Sequence, residues 1–242
     1  MNLNSIHNIY FIGIGGIGMS ALARYFVASG KQVAGYDKTQ TELTSELETL
    51  GIDVHFEDSL DNVSKNFLDS QKTLVVYTPA IPKEHSELNY FRDNNFKVLK
   101  RSQVLGLITE GTYCLAVAGT HGKTTTTSIL GHLLAECGVE VTAFLGGITE
   151  NYNSNLILKG TRVSVVEADE FDRSFLKTNP DVAVVSSMDA DHLDVYGTYS
   201  EMEKNYLQFA DNVEADGLLI FNEHLSIRAS EGKKICTYGF GK

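Results

Sequence analysis

Tyr113-Cys114-Leu115-Ala116-Val117-Ala118-Gly119-Thr120-His121-Gly122-Lys123-Thr124-Thr125 is the stretch that decides how this chain folds. An apolar run over 113–117 has the length of a buried strand, a glycine loop follows it, and Thr124–Glu136 continues as a helix that Gly138 can end in a left-handed conformation. A loop closing on Gly-Lys-Thr surrounds phosphates with backbone amides, sets the Lys123 ammonium against the β and γ groups, and offers the Thr124 hydroxyl to Mg²⁺. Gly119, Thr120, His121, Gly122, Lys123, Thr124 and Thr125 are therefore the expected ATP-binding residues. Val117 stands where G-x-x-x-x-G-K-[ST] has its first glycine, so the loop is expected to be a variant. Burying Lys123 at a helix start without an anionic partner would be costly.

Such a loop needs an acid at the end of a neighbouring strand, and Val163-Ser164-Val165-Val166-Glu167-Ala168-Asp169-Glu170-Phe171-Asp172 supplies one. Glu167 closes the apolar run and pairs chemically with Thr124 as a set of hard oxygen ligands for Mg²⁺. Asp169, Glu170 and Asp172 read equally well as a solvated acidic loop. A further strand, Asp181–Ser186, ends in Ser187-Met188-Asp189-Ala190-Asp191-His192-Leu193-Asp194, where His192 among acids suggests a metal or phosphate partner. A lone imidazole is otherwise a structural residue.

A second glycine cluster, Gly13-Ile14-Gly15-Gly16-Ile17-Gly18, follows the strand Asn8–Ile12 and precedes a helix, which satisfies G-x-G-x-x-G in context. Amides of Gly15, Gly16, Ile17 and Gly18 at a helix start suit a diphosphate, and Asp37, 24 positions after Gly13, ends the next strand where an acid meets a ribose or base. Thr78-Pro79-Ala80-Ile81 ends another strand, so Thr78 and Ala80 would face the same crevice. The plainer alternatives are a glycine turn packing helix on sheet and an ordinary turn at 78–81.

Around these loops, short apolar runs alternate with helical patterns, which makes the fold class α/β with a mostly parallel sheet in each half. Strands are expected near Asn8–Ile12, Gln32–Asp37, Asp53–His55, Thr73–Thr78 and Lys97–Leu99, then near Tyr113–Val117, Val141–Phe144, Arg162–Glu167, Val182–Ser186, Gly217–Phe221 and Lys234–Tyr238. Residues 1–110 are expected to form a Rossmann-like domain and 111–242 an incomplete phosphate-loop ATPase domain, the chain ending abruptly after a strand. Ser200–Val213 reads as a helix with a Ser200/Glu203 capping box and a core stripe of Met202, Tyr206, Phe209, Ala210 and Val213.

Composition excludes several classes of function. The 242 residues are 43% hydrophobic, enough for sizeable cores, and 20 basic against 31 acidic residues give a charge of -11, which argues against a nucleic-acid partner. Three widely spaced cysteines form no Cys-x-x-Cys pair and fit a reducing, cytoplasmic setting. The uncharged start before Arg24 is broken by Gly13, Gly15, Gly16 and Gly18 and lacks a basic leader, so neither a membrane span nor a signal peptide is expected.

Taken together, G-T-H-G-K-T-T at 119–125, E-A-D-E-x-D at 167–172 and D-A-D-H-L-D at 189–194 resemble the Mur ligases of peptidoglycan synthesis over essentially the whole chain. With Gly13–Ser20, the resemblance narrows to the branch that joins L-alanine to UDP-N-acetylmuramate. It implies a UDP-sugar-binding N-terminal domain, a central ATPase domain and a C-terminal domain lacking here. It further implies that Lys123 binds ATP phosphates, that Thr124 and Glu167 hold one Mg²⁺ and His192 a second, and that Lys123, Glu167 and His192 serve catalysis. Gly15, Gly16 and Gly18 would hold the UDP diphosphate, with Asp37 near the uridine. Ser187 departs from the family's usual Asn and Phe171 from its usual Ser; the latter change occurs in a recycling ligase that attaches a tripeptide to the same sugar. Outside the family, an NAD-dependent dehydrogenase leaves the lysine loop unexplained, and a nucleotide switch lacks an Asn-Lys-x-Asp sequence.

Overall fold

The computed structural model describes residues 3–171, 173–190, 196–228 and 232–239. The chain divides into two compact units, Met1–Leu107 and Ile108–Lys242, the division falling within one helix.

In the first unit, β1 (Asn8–Ile12), β2 (Gln32–Tyr36), β3 (Asp53–His55), β4 (Thr73–Tyr77) and β5 (Lys97–Lys100) form a sheet of order β3-β2-β1-β4-β5, parallel throughout. Parallel neighbours need crossovers, and α1 (Ile17–Ala28), α2 (Glu42–Thr49) and α3 (Ser86–Asp93) lie between strands, with α4 (Arg101–Thr109) after β5. β1 is buried at all five positions, as a central strand covered on both faces must be. One face packs Tyr10, Ile12, Val75, Leu88 and Phe91 into a core. Strand order reverses at β1, whose Ile12 pairs with Tyr36 on one side and Tyr77 on the other, so the loops after β1, β2 and β4 meet at one edge.

The second unit contains β6 (Tyr113–Ala118), β7 (Val141–Thr149), β8 (Ser154–Leu158), β9 (Val163–Glu167), β10 (Val182–Val185), β11 (Leu218–Asn222) and β12 (Lys234–Tyr238) in the order β12-β11-β10-β6-β9-β7-β8. β6 lies between β9 and β10, with Val117 opposite Glu167 and Ala118 opposite Val185. That register sets the loop after β6 between the ends of two neighbours. α5 (Lys123–Glu136) packs on β7, and α6 (Tyr199–Asp211) buries the stripe read from the sequence, with Met202, Tyr206, Phe209 and Ala210 fully enclosed.

Three sequence expectations need correction. β7 runs on to Thr149 rather than stopping at Phe144, and the sequence reading omitted β8, which returns antiparallel to β7. Thr149 pairs with Ser154 across Glu150–Asn153, a polar four-residue turn that hides a hairpin, with Asn153 at φ +45°. α6 is capped by Thr198, whose hydroxyl accepts the Glu201 amide at 3.2 Å, and not by Ser200. Thr198-Tyr199-Ser200-Glu201 satisfies the same capping pattern two residues earlier, so the motif alone could not choose. Among the described residues, no helix is long and apolar enough to cross a membrane.

Gly131 sits mid-helix in α5 because a side chain there would put its Cβ 2.7 Å from Ala143 Cβ on β7. Gly131→Val should lower stability by about 2 kcal/mol, overpacking outweighing a small gain in helix propensity. Urea denaturation checks this, and a midpoint at or above that of the wild type contradicts it.

Candidate functional site

The loop after β6 is held before any ligand arrives. Gly119 has φ +137°, and a Cβ on it would lie 2.2 Å from Ser186 Oγ, so glycine is required there. Ser186 Oγ donates to the His121 carbonyl at 2.7 Å, with the Ala118 carbonyl 3.2 Å away. Ser187 Oγ accepts the His121 amide at 2.9 Å and lies 2.9 Å from Thr120 Oγ1, while its carbonyl accepts the Thr120 amide at 3.3 Å. Ser187 thus braces the loop against β10. The amides of Thr120 and His121 are already used in that bracing, and the His121 side chain is largely exposed. What remains for an anion is the first turn of α5. Gly122 precedes it at φ +79° without a side-chain cap, and the helix's backbone ladder begins with the Thr126 amide on the Gly122 carbonyl. Lys123, Thr124 and Thr125 therefore present helix-start amides, the part of a helix that favours negative charge.

Lys123 is not a free cation. Its Nζ donates to the Gly119 carbonyl at 2.7 Å and meets both oxygens of Glu170 at 2.9 Å. The Glu170 side chain is 0% exposed and that of Lys123 12%. Nothing in the motif singles out Glu170 from its acidic neighbours, because acidity of the loop is legible and burial of one member is not. Beside this pair, Thr124 Oγ1 donates to Glu167, 3.0 Å from Oε1 and 2.9 Å from Oε2. Burial raises the Glu167 pKa above the ordinary carboxylate value, although the Thr124 hydroxyl, Lys123 and the Gly146 amide pull it back. A hydroxyl and a carboxylate are hard donors that suit Mg²⁺. A Cβ on Gly146 would fall 2.0 Å from Glu167 Oε2 and 2.8 Å from Thr124 Oγ1, so the bare backbone of β7 keeps this cradle open. Gly146 was missed from the sequence; glycine inside a strand is the signal that could have found it. His192 and Asp172 lie outside the described residues, and among the described ones no cluster of three or more His, Cys, Asp or Glu is arranged to hold a metal.

In the first unit, Gly15, Gly16, Asp37, Thr78 and Ala80 line one cavity of about 710 Å³ with Tyr36, Asp58 and His85, whereas Ile17 and Gly18 do not line it. Its glycine loop is also internally bonded: the Gly13 and Ile14 amides donate to the Tyr36 carbonyl, and the Gly15 amide donates to Asp37 Oδ2 at 2.7 Å. Asp37 therefore holds the very amide that a diphosphate was expected to occupy. His85 was not foreseen. Its Nδ1 accepts the Leu88 amide at 3.3 Å, capping α3, and its ring stands edge-on to Tyr36 at 4.6 Å. Asp58 accepts the Ser86 and Glu87 amides, which anchors this side of the cavity. Behind it, buried Glu87 accepts from Tyr10 at 2.7 Å and lies 2.7 Å from His55 Nε2. Burial pushes Glu87 up to about 7 and His55 below its usual value, so both tend toward neutrality.

The family model described as "Mur ligase family, catalytic domain" matches residues 8–113, and that of the "Mur ligase middle domain" matches 117–242. The chain belongs to the Mur ligase family. Among curated Mur ligases it is 64% identical over 214 residues to UDP-N-acetylmuramate--L-alanine ligase of Flavobacterium psychrophilum, an alignment covering 88% of this chain and 48% of that protein. The chain spans about half the length of the curated relatives it matches. The crystal structure of UDP-N-acetylmuramate-alanine ligase from Thermotoga maritima matches with a TM-score of 0.77 at 30% identity, over 90% of this chain and 49% of that one. A ligase for UDP-N-acetylmuramate and L-alanyl-gamma-D-glutamyl-meso-diaminopimelate from Neisseria meningitides shares the fold, with a TM-score of 0.85 at 23% identity, over 97% of this chain and 78% of that one.

The buried acid in this Mur ligase's first unit carries a pH signature. Its pKa is higher folded than unfolded, so below about 4.5 it costs nothing, and the folded state is penalised increasingly as pH rises from there to about 7. Glu87→Gln should therefore gain stability relative to the wild type between pH 4.5 and 7 and hold that gain above it. Urea titrations of both proteins at pH 5 and pH 8 measure this; a difference that stays constant contradicts it.

Proposed function

We propose that the protein serves the ATP-dependent joining of L-alanine to the carboxylate of UDP-N-acetylmuramate, in the cytoplasmic phase of peptidoglycan synthesis. The name of the 64%-identical relative supports L-alanine as the amine. The observation that carries the ATP half is the uncapped start of α5, flanked by Lys123 and by the Thr124–Glu167 oxygens.

In this reading the first-turn amides of α5 and the Lys123 ammonium bind the β- and γ-phosphates. Thr124 and Glu167 would hold Mg²⁺, which supplies charge neutralisation at the γ-phosphate, and His192 would serve a second ion. The cavity lined by Gly15, Gly16, Thr78 and Ala80 would take the UDP-sugar, Ile17 and Gly18 adding the dipole of α1, with Asp37 turning from the Gly15 amide toward the nucleoside. A carboxylate is too poor an acyl donor to react with an amine directly. The muramyl carboxylate oxygen attacks the γ-phosphorus and ADP leaves; the amine nitrogen then attacks the acyl carbon, phosphate leaves, and nitrogen loses a proton. The protein's share of such a reaction is placement and electrostatic stabilisation.

Calorimetry tests both halves separately. UDP-N-acetylmuramate should bind without metal, and a non-hydrolysable ATP analogue should bind in a Mg²⁺-dependent way. Gly146→Ala, which closes the Glu167 cradle, should weaken the Mg²⁺-dependent binding about tenfold or more, equivalent to about 1.4 kcal/mol, and leave the UDP-sugar affinity unchanged. Nucleotide binding indifferent to Mg²⁺, or to Gly146→Ala, overturns the metal assignment.

A further inference from the structure

We propose that Glu170 is a positioning residue for Lys123 and that it sets how strongly the loop holds polyphosphate, a deepening that rests on the nucleotide reading of the second unit. An ammonium has three protons. The Gly119 carbonyl lies 2.7 Å from Nζ and both Glu170 oxygens lie 2.9 Å from it, which fixes Nζ over the loop, so that an arriving phosphate shares the ammonium with the carboxylate.

The carboxylate is delivered by a segment that is itself fixed. The Ala168 amide donates to the Val117 carbonyl at 2.9 Å, continuing the β6–β9 ladder up to the loop. The Glu170 carbonyl accepts the Arg173 amide at 2.9 Å and the Tyr196 hydroxyl at 2.5 Å, while Ser174 Oγ and the Phe175 amide close on the Asp169 carbonyl. Glu170 and Glu167 thus have different tasks: one faces the lysine, the other the Thr124 hydroxyl.

Electrostatics follows from this division. As a pair, Lys123 and Glu170 carry no net charge, so an arriving polyphosphate meets a lysine whose field is largely cancelled. Glu170 therefore restrains affinity while it preserves geometry. Its amide analogue would keep an oxygen for Nζ to donate to and release the full positive charge. Because Glu170 lies against Lys123, its effect belongs to the β- and γ-phosphates that the lysine reaches.

Fluorescence titration of the protein with labelled ATP and AMP, at low ionic strength, tests the proposal in wild type, Glu170→Gln and Glu170→Asp. Glu170→Gln should bind ATP about threefold more tightly or better, the effect of removing a unit charge about 6 Å from a phosphate even at the dielectric constant of water. AMP affinity should not change, and Glu170→Asp, which keeps the charge but draws the carboxylate back from Nζ, should bind ATP less tightly than the wild type. Unchanged or weaker ATP binding by Glu170→Gln overturns the proposal, as does ATP binding by Glu170→Asp as tight as that of the wild type, or an effect of either substitution that extends to AMP. Should the glutamine variant fail to fold, the aspartate variant carries the test: ATP binding as tight as that of the wild type, or an equal loss for AMP, overturns the proposal. ATP binding by none of the proteins, wild type included, removes the nucleotide reading itself, whereas ATP binding by the wild type with no response to Glu170→Gln removes the proposal alone.

Discussion

The Lys123–Glu170 ion pair joins the loop after β6 to the loop after β9, and the organisation of the second unit follows from the need to satisfy it. A carboxylate with no exposure is tolerable only when its charge is met, and breaking such a pair from one side typically costs about 3–5 kcal/mol. The pair requires β6 and β9 to be neighbours and to run in the same direction, so that their carboxyl ends coincide; the register of Val117 with Glu167 achieves this. It also requires Gly119, where any side chain would strike Ser186. Strand order, loop composition and one buried charge are thus parts of a single constraint.

The two glycine loops of the chain look alike in sequence and solve the same backbone problem by different means. Each consumes most of its own amides: the first on the Tyr36 carbonyl and Asp37, the second on Ser187. In each case the helix that follows lacks a side-chain cap, so its first turn is the end that favours an anion. The difference lies in the neighbouring charge. The second loop has a lysine with its own counter-ion, while the first has the Arg101 side chain against Gly18 and an aspartate bonded into the loop, which a diphosphate would have to displace. An anion at the second loop meets a partly neutralised cation; at the first it meets a carboxylate that must move.

Much of the architecture was legible because alternation of apolar runs with helical periodicity is a strong signal; the bounds of β1, β3 and β12 are those read from the sequence. β8 was not, since its flanking Asn residues read as loop and its strand is short, with an antiparallel partner in a pattern otherwise parallel. Thr124 and Glu167 could be named because motif and strand end both point to them, and they are in hydrogen-bond contact. Which acid of 169–172 is buried, why Ser187 stands where it does, and why Gly146 interrupts β7 depend on distances between strands far apart in sequence. His85 and Asp58 escaped notice for the same reason: neither belongs to a local motif, and topology alone brings them to the cavity beside Gly15.

A crystal structure of the protein with ADP and Mg²⁺ tests the central claim most directly, namely that the first turn of α5 together with Lys123 forms the phosphate site. The account predicts the β-phosphate within hydrogen-bond reach of the amides of Lys123–Thr125, the metal between Thr124 and Glu167, and Lys123 bridging phosphate and Glu170. Phosphates bound elsewhere, with the helix start of α5 unaltered and Lys123 still held only by Gly119 and Glu170, would contradict it.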